Sequence, residues 1–249
     1  VRSVRDVHEA LDAYVEAIPP LVLSTAQHIS TDIDFRGVDD KTMTAALRRR
    51  ARAGVEERNI YASFIMEEFF RRMEERRANV VFQFSLGAEP LPSETGARLS
   101  QSTLASVASL VERHPGIRFQ CFLASAHANQ GLCTLARELP NFSLAGYWWH
   151  CFFPSFIERM MRERLDMLAP SRQVGFFSDA YCMEWSYAKM VIVRKLLARV
   201  LAEKVLMGQY DRAMALAAAR EILFEAPRRL LGMEPGAETR PGGSVGRHG

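Results

Sequence analysis

Three histidines and one aspartate follow stretches that read as buried strands: His28, His127, His150 and Asp179. Imidazole and carboxylate relay protons near neutral pH, and the same groups suit zinc or manganese. Asp179 is the sharpest candidate. It closes the apolar run Gln173-Val174-Gly175-Phe176-Phe177-Ser178-Asp179. A carboxylate at the C-terminal end of a parallel strand is where an α/β barrel does its chemistry. Its competing role is to cap the helix that follows. One strand earlier, Phe142-Ser143-Leu144-Ala145-Gly146-Tyr147-Trp148-Trp149-His150 ends in two indoles and an imidazole. Strand alternation sends Trp148 and Trp149 to opposite faces, so that one ring lines a pocket while the other packs in the core. Gln83 and Ser85 hold similar positions on a further strand. Glu89 and Glu94 sit in the loop from Gly87 to Gly96, which is long for an α/β connection. His8, His114 and His248 have no such placement.

The elements that must position these side chains alternate in type. Helical spacing runs from Val4 to Ala17, where Pro19-Pro20 stops it. It returns from Asp39 to Ala53, Glu56 to Arg77, Ser100 to Arg113, Asn129 to Glu138, Pro154 to Leu168, Glu184 to Met207 and Asp211 to Phe224. Strands fall at Leu21 to Thr25, Asn79 to Leu86, Ile117 to Leu123, Phe142 to His150 and Gln173 to Asp179. Such alternation implies parallel strands joined by helical crossovers. Five strands are too few for a closed barrel and fit the last five strand–helix units of one. The expected fold class is therefore α/β: a partial (β/α)8 TIM-type barrel over residues 1–233 with long C-terminal helices. A disordered Gly/Pro-rich tail is expected over 234–249. An open doubly wound sheet is the rival, but no GxGxxG or GxxxxGK[ST] phosphate loop is present.

The 249 residues are 48% hydrophobic and carry a formal charge of +3. So small a charge, with no basic run interleaved with aromatics, argues against a nucleic-acid partner. No apolar run is long enough to span a membrane, and no signal peptide is evident. Arg48-Arg49-Arg50, Arg71-Arg72 and Arg76-Arg77 read as solvated helix faces. Glu158-Arg159 and Arg162-Glu163-Arg164 read as surface ion pairs worth little. Cys121, Cys133, Cys151 and Cys182 form no CxxC pair, so buried free thiols in a reducing, cytoplasmic compartment are expected. The first residue is Val, which fits a processed start or a piece of a longer protein.

Gly146-Tyr147-Trp148-Trp149, a spacer helix and Val174-Gly175-Phe176-Phe177-Ser178-Asp179 together resemble the C-terminal half of uronate isomerase (glucuronate isomerase), a branch of the amidohydrolase superfamily. The likeness runs from about Val4 to Met233 and is strongest from Asn141 to Leu223. Ala26-Gln27-His28 resembles the family's Asp-His-Gly stretch, with Gln27 in place of the acid. The resemblance implies aldose–ketose isomerisation of a hexuronate, glucuronate to fructuronate in type, through an enediol. It implies Asp179 as metal ligand or proton relay and His28 as a catalytic group on the substrate. It places Trp148, Trp149 and His150 around a small-molecule sugar acid.

Three departures from the family pattern stand out. No His-x-His metal pair is present; Gln83 replaces a histidine of the fifth strand; and Tyr181 replaces an arginine suited to a carboxylate grip. Gln83 and Tyr181 are kept as substrate-side candidates. The alternatives are a metal-dependent hydrolase on the same scaffold or an inactive, truncated barrel. An open barrel exposes strand edges, so a homo-oligomer is also an expected partner.

Overall fold

A computed structural model describes residues 2–29, 33–49, 53–76, 79–87, 99, 101–148 and 152–233. Four strands form one parallel sheet in chain order: β1 (Ser24–His28), β2 (Val81–Leu86), β3 (Arg118–Leu123) and β4 (Phe142–Leu144). The helices among the described residues are α1 (Val4–Glu16), α2 (Asp40–Arg48), α3 (Val55–Glu75), α4 (Gln101–Arg113), α5 (Asn129–Glu138), α6 (Pro154–Met167), α7 (Met183–Leu206), α8 (Arg212–Arg220) and α9 (Ala226–Leu230). Local chemistry sets their starts. Ser3 and Asp6 form a reciprocal capping box on α1, the Asp39 carboxylate accepts the Thr42 N–H on α2, and Pro154 opens α6.

The register aligns Phe82, Phe119 and Phe142 in one row, and Phe84, Cys121 and Leu144 in another. All six are buried in one cluster with apolar residues from α3 to α8. The crossover helices thus cover one face of the sheet. A doubly wound sheet would carry helices on both faces, so strand order and one-sided cover select the barrel type. A second cluster closes α1, α2 and α3 on one another through Val7, Leu11, Met43 and Phe64.

The expected fifth strand is a correction. Only Gln173 bridges Leu144, with the Val174 N–H donating to the Leu144 carbonyl at 2.8 Å. Gly175 then leaves the ladder and donates its N–H to the Ile222 carbonyl at 3.0 Å. That carbonyl lies in the π-helical turn Glu221–Glu225, where the Ala226 N–H reaches back to Glu221. The wider turn frees an acceptor that an α-helix would have used itself. A Cβ on Gly175 would stand 2.4 Å from the Ile222 side chain, so the approach requires glycine.

Strand β1 begins at Ser24 rather than Leu21, because a turn closed by Val22 N–H on the Pro19 carbonyl uses up the preceding residues. Strand β4 stops at Leu144 rather than His150. There the chain of Phe176-Phe177 passes so close that a Cβ on Gly146 would lie 2.4 Å from the Phe177 nitrogen.

Two arginines read as solvated are buried. Arg72 donates from α3 to Asp12 and Glu68, both at 2.6 Å. Arg164 is described with the site. Among the described residues no helix is long and apolar enough to cross a membrane.

Candidate functional site

The face of the sheet opposite the helices carries different chemistry. Ala26, Gln83, Gln120 and Ser143 share one row, and His28, Ser85 and Phe122 the next row toward the C-terminal ends. The Gln83 amide donates to Gln120 Oε1 at 2.6 Å, and the Gln120 amide nitrogen is buried without a partner. One row higher, His28 Nδ1 lies 2.7 Å from Ser85 Oγ. This bond fixes the ring and leaves Nε2 on the far edge of an exposed imidazole. The ring packs on Trp148 with centroids 5.4 Å apart. Trp148 also meets Phe122 at 6.4 Å, and Phe122 stacks on Phe177 at 4.1 Å. An aromatic row therefore runs across the C-terminal rim from β1 to the segment that carries Asp179.

Asp179 adopts φ +42°, unusual for a residue with a Cβ, although aspartate tolerates it better than most. Lys189 holds it there. This lysine is buried on α7, and its ammonium donates to the Ser178 and Asp179 carbonyls at 2.5 and 2.8 Å. It also lies 4.3 Å from the centre of the Phe152 ring. The Asp179 carboxylate is left exposed. It is not a helix cap, since Cys182 holds that position on α7.

Arg164 stands in what the sequence presents as a run of surface ion pairs. It is fully buried. Its Nη1 donates to the Ala145 carbonyl at 2.6 Å and its Nε to Asn129 Oδ1 at 2.9 Å, while Asn129 donates to Glu163 at 2.7 Å. The guanidinium lies over Tyr147, whose hydroxyl burial pushes up to about 12 although the arginine pulls it the other way. The bend that delivers Trp148 to the rim is thus clamped from behind. Helical spacing held the signal: Arg164 falls in the buried stripe of Ile157, Met160, Met161 and Leu165.

Of the expected site residues, the fold brings His28, Ser85 and Trp148 together. Gln83 lies a row below with its amide committed to Gln120. Tyr181 is 89% exposed and packs edge-on against Trp185 rather than on the His28 cluster. His127 stands exposed in the turn Ala126–Ala128 beyond β3. Trp149, His150, Glu89, Glu94, Cys151 and the tail from 234 lie outside the described residues. Cys121 and Cys133 are buried and free, whereas Cys182 is exposed. Protein zinc sites use three or four ligands, and among the described residues no three of His, Cys, Asp and Glu converge. The described side chains do not by themselves fit a divalent ion, and Asp179 supplies at most one ligand.

No protein-family model and no curated protein matches the sequence. Solved structures do. A glucuronate isomerase from Caulobacter crescentus superposes with TM-score 0.78 at 14% identity, covering 93% of this chain and 50% of its own. A uronate isomerase from Thermotoga maritima gives 0.72 at 17%, covering 84% and 49%. A protein described as a metal-dependent hydrolase, from Lactobacillus casei, gives 0.65 at 12%, covering 91% and 58%. The chain spans about half the length of these proteins. It has the fold of part of the α/β barrel on which uronate isomerases are built.

Proposed function

We propose that the C-terminal rim of this sheet serves aldose–ketose isomerisation of a hexuronate of the glucuronate type. The observation that carries the reading is the His28–Ser85–Trp148 constellation at the end where parallel barrels do their chemistry. In the reaction a proton leaves C2 of the open-chain aldose and is returned to C1, while the hydroxyl proton passes between the two oxygens. With Nδ1 donating to Ser85, His28 Nε2 carries the lone pair that accepts the C2 proton and delivers it to C1. The Trp148 ring covers one face of the sugar. Asp179, held at the rim through its backbone, relays the hydroxyl proton.

The test is conversion of glucuronate to fructuronate with zinc or manganese added, by this chain and by a form extended with its native upstream sequence. Turnover is expected to fall at least about a hundredfold in His28→Ala and in Asp179→Asn, with the melting temperature preserved, since asparagine accepts a positive φ. Absence of turnover in both forms, or full activity in His28→Ala, overturns the reading. A metal-dependent hydrolase is the second reading, supported by the Lactobacillus casei likeness and by Tyr181 standing where an arginine grip is expected. Release of product with uptake of water, and no isomerisation, would select it.

A further inference from the structure

At the opposite end of the strands, where β3 and β4 begin, a cavity of about 200 Å³ opens among Arg118, Asn141, Ser171, Arg172, Gln173 and Arg229. We infer that it is a binding site for a small oxyanion, a phosphate or carboxylate group, held by Arg118, Arg172 and the Gln173 amide.

Three observations converge. Gln173 is only 2% exposed, lines the cavity, and has an amide nitrogen with no hydrogen-bond partner. A buried donor left unmade costs free energy, and an acceptor in the cavity removes that cost. The two arginines beside it make no ion pair among the described residues. Arg172 donates to the Pro140 and Leu139 carbonyls at 2.5 and 3.2 Å. That uses two of the five N–H groups of a guanidinium. Arg118 donates to Asn79, at 3.1 Å to its carbonyl and 2.6 Å to its side chain, and to the carbonyls of Arg229 and Leu230. Burial holds its pKa below that of a free arginine, as a cation without a counter-charge should be. Arg229, by contrast, pairs with Glu221. Of the carbonyls that Arg118 and Arg172 grip, those of Arg229 and Leu230 close the C-terminal end of α9 and those of Leu139 and Pro140 that of α5, and the two helix dipoles neutralise part of the charge. The remainder faces the cavity beside an unfilled donor. An oxyanion supplies both the charge and the acceptor, and guanidinium forks match its geometry.

The site is independent of the rim chemistry, being at the other end of the sheet. The experiment is calorimetric titration of the full chain with inorganic phosphate and, in a parallel arm, with acetate, at constant ionic strength set by chloride. Saturable binding in the millimolar range or tighter is expected for one of them, and the arm that saturates names the group. Arg172→Gln should weaken it by at least about tenfold. Gln173→Leu should abolish it while leaving the melting temperature of the unliganded protein unchanged or higher, because the orphaned donor is gone. That pairing separates lost binding from lost folding. No saturation in either arm, or equal affinity in the wild type and Gln173→Leu, overturns the assignment.

Discussion

On the helix side of the sheet, Phe119 is fully buried and meets Phe70, Phe82 and Phe84 edge-on, with ring centres 5.1, 6.1 and 6.3 Å away. On the other side of the same strand, Gln120 accepts one hydrogen bond from Gln83 and keeps a buried amide nitrogen unpaired. The first face is a finished core, filled by aromatic and aliphatic groups from seven helices. The second is a polar layer with a small apolar patch of Phe122, Ala124, Ala145 and Trp148 at its rim. Stability is concentrated on the packed face, whereas the polar face keeps a buried donor, Gln120 Nε2, without a hydrogen-bond partner.

The largest test of that contrast sets Phe119→Ala against the pair Gln83→Leu with Gln120→Leu. The first removes a ring from a full core and should cost about 3–5 kcal/mol in denaturant unfolding. The second replaces both partners of a buried polar pair and should shift stability by less than about 1 kcal/mol, in either direction. Similar losses from both would show that the open face is as tightly specified as the core.

Gly146→Ala carries the contrast to the rim, because its Cβ would stand 2.4 and 2.6 Å from Phe177 and Phe176 backbone atoms. Overpacking of this kind costs about 1–3 kcal/mol, and the displaced backbone carries Phe177 away from Phe122. Unfolding measurements together with tryptophan fluorescence read both effects; an unchanged spectrum would rule out the displacement.

The smallest effect concerns a polar network around His114 on the helix side. His114 is buried against Phe70, with Nδ1 3.0 Å from Glu74 and Nε2 3.3 Å from Glu67. The second contact is within ion-pair range but lacks hydrogen-bond alignment, so its contribution is electrostatic. Burial lowers the His114 pKa, and the two carboxylates outweigh it, leaving a net rise. For Glu67, burial opposes ionisation, but His114 and Arg113 prevail and bring it to about 2. A raised histidine pKa gives stability that is complete below about pH 6.5 and lost as pH rises through the folded-state value. The Glu67 contribution is instead present above its ordinary range and lost as pH falls toward 2. The stability gap between wild type and His114→Gln should therefore shrink between pH 5.5 and pH 8, by on the order of 1 kcal/mol. A gap that widens with pH would contradict the charged form of His114.

Element type was largely legible in the sequence. Helix α5 falls on its expected span and α1, α4, α6 and α7 within a residue at either end, because apolar periodicity and capping residues are local signals. The segment after Gln173 misled because a buried apolar run has the same composition whether it pairs as a strand or packs as extended chain. Gly175 took its hydrogen bond from a π-turn some fifty residues on, which no local pattern encodes. The rim was legible in part. His28, Ser85, Trp148 and Asp179 stand out by type and position, whereas the Lys189 clamp and the Arg164 network show only in helical phase, Lys189 with Val193 and Leu196, Arg164 with Ile157 and Met161.

What the sequence alone determined is the order of elements and the face each residue takes, since alternation and periods of two and 3.6 are fixed by backbone geometry. Tertiary structure decided what each face meets. It placed Arg164 and Lys189 under carbonyls that no spacing predicts, and it set His28 of β1 against Trp148 beyond β4. Those contacts depend on how strands far apart in the chain lie side by side, and that is settled by the packing of the whole sheet against its helices.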